Sequence, residues 1–249
     1  MDARGRLIIN ADDLGLSPQI NAGIFKGIEA GVVTDVSLMA KAPYAAEAAE
    51  SLRGHGITCA GIHVNLDDLL GWRSPGIEHH TREQLQQRFA QASFRARLEA
   101  EAREQIEIFL SLGLKPSHID SHHHVHGFPA VFAIMLTLMG DYGIRAMRYS
   151  AGGYGLPTRA DIPWSSGLAA RVQTMLQEKA ILTCDCMLEG AGRLMEASSG
   201  ITELVVHPAM GGDPWRDEEL KVLLCVGTPS ISERFELISF QDFQEALRD

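Results

Sequence analysis

Short apolar runs alternate with longer amphipathic stretches along most of the chain. The runs at Leu7–Asn10, Val36–Ala40, Gly61–Leu66, His118–Ser121, Arg145–Tyr149, Ala180–Met187 and Leu204–Val206 are bounded by turn residues, the pattern of strands in a parallel α/β architecture. Between the first two, Ser17 to Ala30 reads as a helix, with Ser17 as its cap, Pro18 in its first turn and Gly31 as its stop. The clearest helix is Phe94 to Leu112, where Leu98, Ala102, Ile106, Phe109 and Leu110 share one face and Glu and Arg residues take the other. Two stretches break the alternation, Asp67 to Ser93 and Ala151 to Gln177. The second contains Gly-Gly-Tyr-Gly and Pro-Trp-Ser-Ser-Gly; long Gly- and Pro-containing insertions after barrel strands usually form substrate loops, which makes Tyr154 and Trp164 candidate contact residues.

Composition narrows the class. A chain of 249 residues suits one sizeable core, so a single domain over 1–249 is expected. The formal net charge of −10, with no cluster of Lys and Arg, argues against a nucleic-acid partner. No apolar run approaches the ~20 residues of a membrane-spanning helix, and the start of the chain lacks the apolar core of a signal peptide. A cytoplasmic location follows as the default expectation. Cys59, Cys184, Cys186 and Cys225 lack paired zinc-ribbon spacing and read as reduced, mostly buried thiols.

Candidate chemistry collects at the ends of the expected strands. Asn10-Ala11-Asp12-Asp13-Leu14-Gly15 places adjacent acids where the first strand ends, a position that in parallel α/β folds belongs to the active-site face, although Asp is also a common turn residue. Gly61-Ile62-His63 puts an imidazole inside an apolar strand. His118-Ile119-Asp120-Ser121-His122-His123-His124-Val125-His126 packs five histidines and an acid into nine positions, a density that costs folding energy unless the imidazoles find partners. They cannot all face one site, since a strand alternates its faces and a helix pairs only i and i+4. Val206-His207-Pro208 delivers a further imidazole, and Arg148 takes a similar place after another strand. One carboxylate with two imidazoles can hold a divalent cation, a second carboxylate can act as base and a separate histidine can protonate a leaving amine, which together make an amide hydrolysis centre.

These residues resemble those of the YdjC-like carbohydrate deacetylases, the family that includes chitooligosaccharide deacetylase. The matching segments are Leu7 to Gly15, Gly61-Ile62-His63, Pro116 to His126 and Val206-His207-Pro208-Ala209, in the family's order. The resemblance implies a TIM-barrel-like (β/α) barrel and hydrolysis of an acetamido group on a sugar, with Mg²⁺ or another divalent ion such as Zn²⁺. Carried over by position, it makes Asp13, His63 and His122 the metal ligands, Asp12 the base and His207 the acid. His124, His126 and Arg148 are left as supporting or substrate-binding residues, with Tyr154 and Trp164 above the barrel. A homodimer is the family-level expectation. Competing readings are a deacetylase of a glycolipid headgroup of the hopanoid type, another metal-dependent amide hydrolase, and a non-catalytic sugar-binding protein. Family members commonly continue past Arg234–Leu237 into another helix and strand, so the early end after Phe240-Gln241-Asp242-Phe243 predicts a barrel that is incomplete or irregular, or closed by a partner. Thr183-Cys184-Asp185-Cys186 is a second departure, expected to alter the substrate pocket.

Overall fold

The computed structural model describes residues 4–71, 82–150, 154–155, 172, 174–197 and 199–246. Its strands are β1 (Gly5–Leu14), β2 (Asp35–Leu38), β3 (Cys59–Val64), β4 (Lys115–Ser121), β5 (Ala146–Ser150), β6 (Tyr154–Gly155), β7 (Leu182–Cys184), β8 (Cys186–Glu189), β9 (Ile201–Val206) and β10 (Phe235–Leu237). The described helices between and after them include α1 (Pro18–Glu29), α2 (Ala45–Gly54), α3 (Asp67–Leu70), α4 (Arg82–Ala90), α5 (Ala92–Ser111), α6 (Pro129–Tyr142), α7 (Pro214–Arg234) and α8 (Phe240–Glu245). Hydrogen bonding runs in the order β6-β8-β9-β1-β2-β3-β4-β5-β7, and every described pairing is parallel. Parallel strands need crossovers, which the intervening helices supply, and the helices bury the outer face of the sheet.

The sheet is nearly closed into a barrel, with one imperfect seam. There β5 pairs with β7 at Ala146↔Leu182 and Ser150↔Cys184, and the pairing resumes between β6 and β8 at Tyr154↔Met187 and Gly155↔Leu188. The expected single strand Ala180–Met187 is in fact two, broken at Asp185. Asp185 bonds to β9 instead: its N–H donates to the Ile201 carbonyl at 2.9 Å and its carboxylate accepts the Ile201 N–H at 2.8 Å. Thr183-Cys184-Asp185-Cys186 is therefore the hinge of the seam. Among the four cysteines, which are all free, only Cys184 is buried and Cys225 is exposed.

The C-terminal segment completes the other end of the barrel. β10 lies beside the first half of β1, at Gly5↔Phe235 and Leu7↔Leu237, where β2 has not yet begun. α8 follows, with Ser239 and Asp242 forming a reciprocal cap, and its Phe240 and Phe243 pack with Ile8, Ala146, Cys184, Ile201 and Ile238. Phe240 stacks on His118 with ring centroids 3.9 Å apart, and its N–H donates to Asp35 at 2.8 Å. The irregularity expected at the C-terminus thus falls at the β5–β8 seam. Among the described residues, no helix is long and apolar enough to cross a membrane.

Candidate functional site

The site is built at the C-terminal end of β1. Successive strand residues point to opposite faces, so Asp12 and Asp13 should diverge. Two irregularities bring them together: the register against β2 shifts between Ala11 and Leu14, and Asp13 takes φ 67°, a left-handed conformation that Asp tolerates better than most residues. Both carboxylates consequently face His63 of β3, whose Nε2 lies 3.4 Å from Asp13 Oδ1 and 3.9 Å from Asp12 Oδ2. His122, the first residue after β4, brings Nδ1 to 3.0 Å from the same Asp13 oxygen.

Asp13, His63 and His122 offer ligand atoms that lie within 4.8 Å of one another. The donor chemistry fits a cation. His63 Nδ1 is 2.7 Å from Asp120 Oδ1, an arrangement that fixes the proton on Nδ1 and leaves the Nε2 lone pair aimed at Asp13. That Nε2 and Asp13 Oδ1 are both buried without a hydrogen-bond partner, a costly arrangement that a shared cation would relieve. Burial by itself would disfavour charge on His63, but Asp120, Asp12 and Asp13 outweigh it and push the imidazole well above its usual pKa. The same acids that attract a proton there attract a divalent ion. His122, by contrast, is held below its usual pKa by burial, against the pull of Asp13, which suits a neutral ligand. The second oxygen of Asp13 accepts from Arg216 at 2.5 Å. A neighbouring group of Asp67, His122 and His123 shares His122, but it is more open to solvent.

Asp12 has different surroundings. Arg148 is fully buried and grips it with two bonds, Nη1 to Oδ2 at 2.8 Å and Nη2 to Oδ1 at 2.7 Å, while Asn10 donates to Oδ1 at 2.8 Å. The same guanidinium reaches Asp120 at 2.7 Å and Glu203 at 2.8 Å. Burial would raise the Asp12 carboxyl, yet Arg148 and then His63 hold it below its usual range. Glu203 fares differently, because burial outweighs Arg148 and raises its pKa. His207, just past β9, places Nε2 3.9 Å from Asp12 Oδ2. Its turn is held from both sides. Glu219 of α7 accepts the His207 N–H at 2.6 Å and the Ala191 N–H at 2.9 Å, while a Cβ on Gly23 of α1 would fall 2.3 Å from the Ala209 backbone.

The residues predicted to act together are thus largely assembled: Asp12, Asp13, His63, His122, Arg148 and His207 share one centre. The rest of the histidine block diverges from it. The chain leaves β4 at Ser121 and turns through a short 3-10 segment, His122–Gly127, with His123 and His124 at positive φ. His124 Nε2 faces Glu189 at 3.7 Å, and His126 turns back onto Ser121 at 2.6 Å with its pKa pushed well down, chiefly by burial. His118 lies lower in the barrel between Ser117 and Ser37. Tyr154 lies on β6, and the expected role of its side chain, like Trp164 as a whole, falls outside the described residues. Sequence reasoning missed Asp120 as the partner of His63, and Glu203, Arg216 and Glu219 altogether. Asp120 alone had a signal, its place inside the histidine block.

Fold and site together define a parallel α/β barrel with a cation-competent Asp/His centre at its strand ends. Residues 6–232 match the family model of the YdjC-like protein, and the chain belongs to that family. It is 40% identical over 157 residues to a carbohydrate deacetylase of Geobacillus stearothermophilus, an alignment taking up 61% of this chain and 63% of that protein. A carbohydrate deacetylase of Brevibacillus brevis is 28% identical over 95% of this chain and 99% of its own. A chitooligosaccharide deacetylase of Escherichia fergusonii is 35% identical over 55% of this chain and 57% of its own. Several curated relatives are thus matched over little more than half of their length. Among solved structures, one described as a cellobiose-phosphate cleavage protein of Enterococcus faecalis V583 superposes with a TM-score of 0.72 at 22% identity, covering 97% of this chain and 99% of that one, a likeness of fold.

Proposed function

We propose that this chain is a carbohydrate deacetylase that hydrolyses the N-acetyl group of an amino sugar, releasing acetate. The observation that carries the reading is the buried pair Asp13 Oδ1 and His63 Nε2, 3.4 Å apart and neither in a hydrogen bond, with His122 Nδ1 3.0 Å from the former, beside an Asp12 that Arg148 keeps anionic. A divalent ion held by Asp13, His63 and His122 would polarise the acetamide carbonyl and make water more acidic. Asp12 accepts the proton of a water as its oxygen adds to the acetyl carbon, and Arg148 fixes the carboxylate in place. His207 delivers a proton to the sugar nitrogen as the C–N bond breaks. Asp12 Oδ2 and His207 Nε2, 3.9 Å apart, are within reach of one bridging water, which returns the proton to His207. His124 and His126 support the turn that presents His122.

Mg²⁺ is the ion implied by the family resemblance, but two imidazole nitrogens and one carboxylate suit Zn²⁺ or a similar transition ion better than Mg²⁺, which prefers oxygen ligands. Acetate release from N-acetylglucosamine oligomers, with a hopanoid-type glycolipid and a simple alkyl acetamide alongside, tests the reading. Sugar oligomers are expected to be deacetylated fastest. Turnover confined to the alkyl acetamide, or to the glycolipid, would contradict the amino-sugar assignment.

A further inference from the structure

The first turn of α7 supplies the centre with more than a helix cap. Arg216 bonds Asp13, Glu219 holds the backbone of His207, and the ring centroid of Trp215 lies 5.3 Å from that of His207. Trp215 is 53% exposed, although it is set in a fixed backbone: Pro214 begins the helix and the Asp213 side chain accepts the Trp215 N–H at 3.0 Å. The Arg216 guanidinium lies 5.6 Å from the indole centroid. A single exposed aromatic residue is ordinary on a protein surface. This one differs in place, since it forms an apolar wall at the edge of an otherwise charged centre.

We infer that Trp215 is the platform on which the amino-sugar ring lies while its acetamido group enters the centre at Asp12 and Asp13. The inference rests on the proposed function and adds the residue that selects a sugar over a small amide. If His207 protonates the departing nitrogen, the ring bearing that nitrogen must lie within a bond or two of His207. The indole of Trp215, 53% exposed, lies beside His207 with its ring centroid 5.3 Å away. A pyranose offers an apolar face of C–H groups and polar edges, matching a flat apolar wall beside carboxylates and imidazoles.

Binding and turnover separate this role from a structural one. Tri-N-acetylchitotriose binding is measured by calorimetry in an Asp12→Asn background, where it is not consumed, with and without Trp215→Ala or Trp215→Phe. Turnover of the trisaccharide and of p-nitrophenyl acetate is measured with Trp215 altered alone. Trp215→Ala is expected to weaken binding and raise KM on the order of tenfold, the loss of one large apolar contact. Its kcat and p-nitrophenyl acetate turnover should change little, and Trp215→Phe should recover most of the affinity. Unchanged trisaccharide binding in Trp215→Ala overturns the platform alone, provided the unaltered protein deacetylates the trisaccharide. An equal loss on both substrates means that His207 has shifted, and overturns it too. A protein that neither binds nor deacetylates the trisaccharide with Trp215 intact overturns the proposed function along with it.

Discussion

Asp12→Asn is expected to lower kcat by about 10²–10⁴-fold, the usual contribution of a general base, while the protein keeps its ion. Asp13→Asn is expected to lose both. The two residues are adjacent in sequence, yet their environments assign them different work. Asp12 stands outside the Asp13, His63 and His122 trio, so the isosteric Asp12→Asn leaves the ligand atoms in place; its oxygen can keep the bonds from Asn10 and one Arg148 N–H, and its amide nitrogen loses the other. Asp13 is the only carboxylate of that trio, and its amide would replace an anionic donor facing two imidazoles. Elemental analysis beside kcat for each variant separates base from ligand. An Asp12→Asn protein without ion, paired with an Asp13→Asn protein that retains ion and turnover, would reverse the assignment.

Arg148→Met should be the most destabilising single change in the centre. One fully buried guanidinium balances Asp12, Asp120 and Glu203 at 2.7–2.8 Å. Removing one partner of a buried ionic cluster leaves uncompensated carboxylates and typically costs about 3–5 kcal/mol. Denaturant unfolding reads that loss as a lower midpoint at unchanged slope. Because burial already raises the pKa of Glu203, adding Glu203→Gln to Arg148→Met removes one stranded acid and should recover part of the stability. An Arg148→Met protein as stable as the parent would show that the cluster is not held by this charge balance.

The strands were legible from their apolar runs, and the candidate site residues from the acid, imidazole or guanidinium at or near the ends of five of them, at Asp12 and Asp13, His63, His122, Arg148 and His207, a pattern that needs only local sequence; Val36–Ala40 carries none. That Asp12 and Asp13 face one centre was not deducible from strand alternation, which separates them; the bulge and the left-handed Asp13 that reunite them are properties of β1 packed against β2. Arg216 and Glu219 were missed because they sit in an ordinary-looking charged helix start. Their roles exist only once α7 is folded against residues as distant as Asp13. The seam was misplaced for a related reason: an apolar run from Ala180 to Met187 reads as one strand, whereas Asp185 turns its backbone and carboxylate to β9.

The central claim, acetamide hydrolysis at an Asp13–His63–His122 cation centre, is tested most directly by measuring acetate release from N-acetylglucosamine oligomers before and after metal removal verified by elemental analysis. The account predicts about one divalent ion per chain in the active protein, loss of turnover with the ion, and recovery when Zn²⁺ or Mg²⁺ is restored. Full acetate release from protein verified to be free of metal would contradict it.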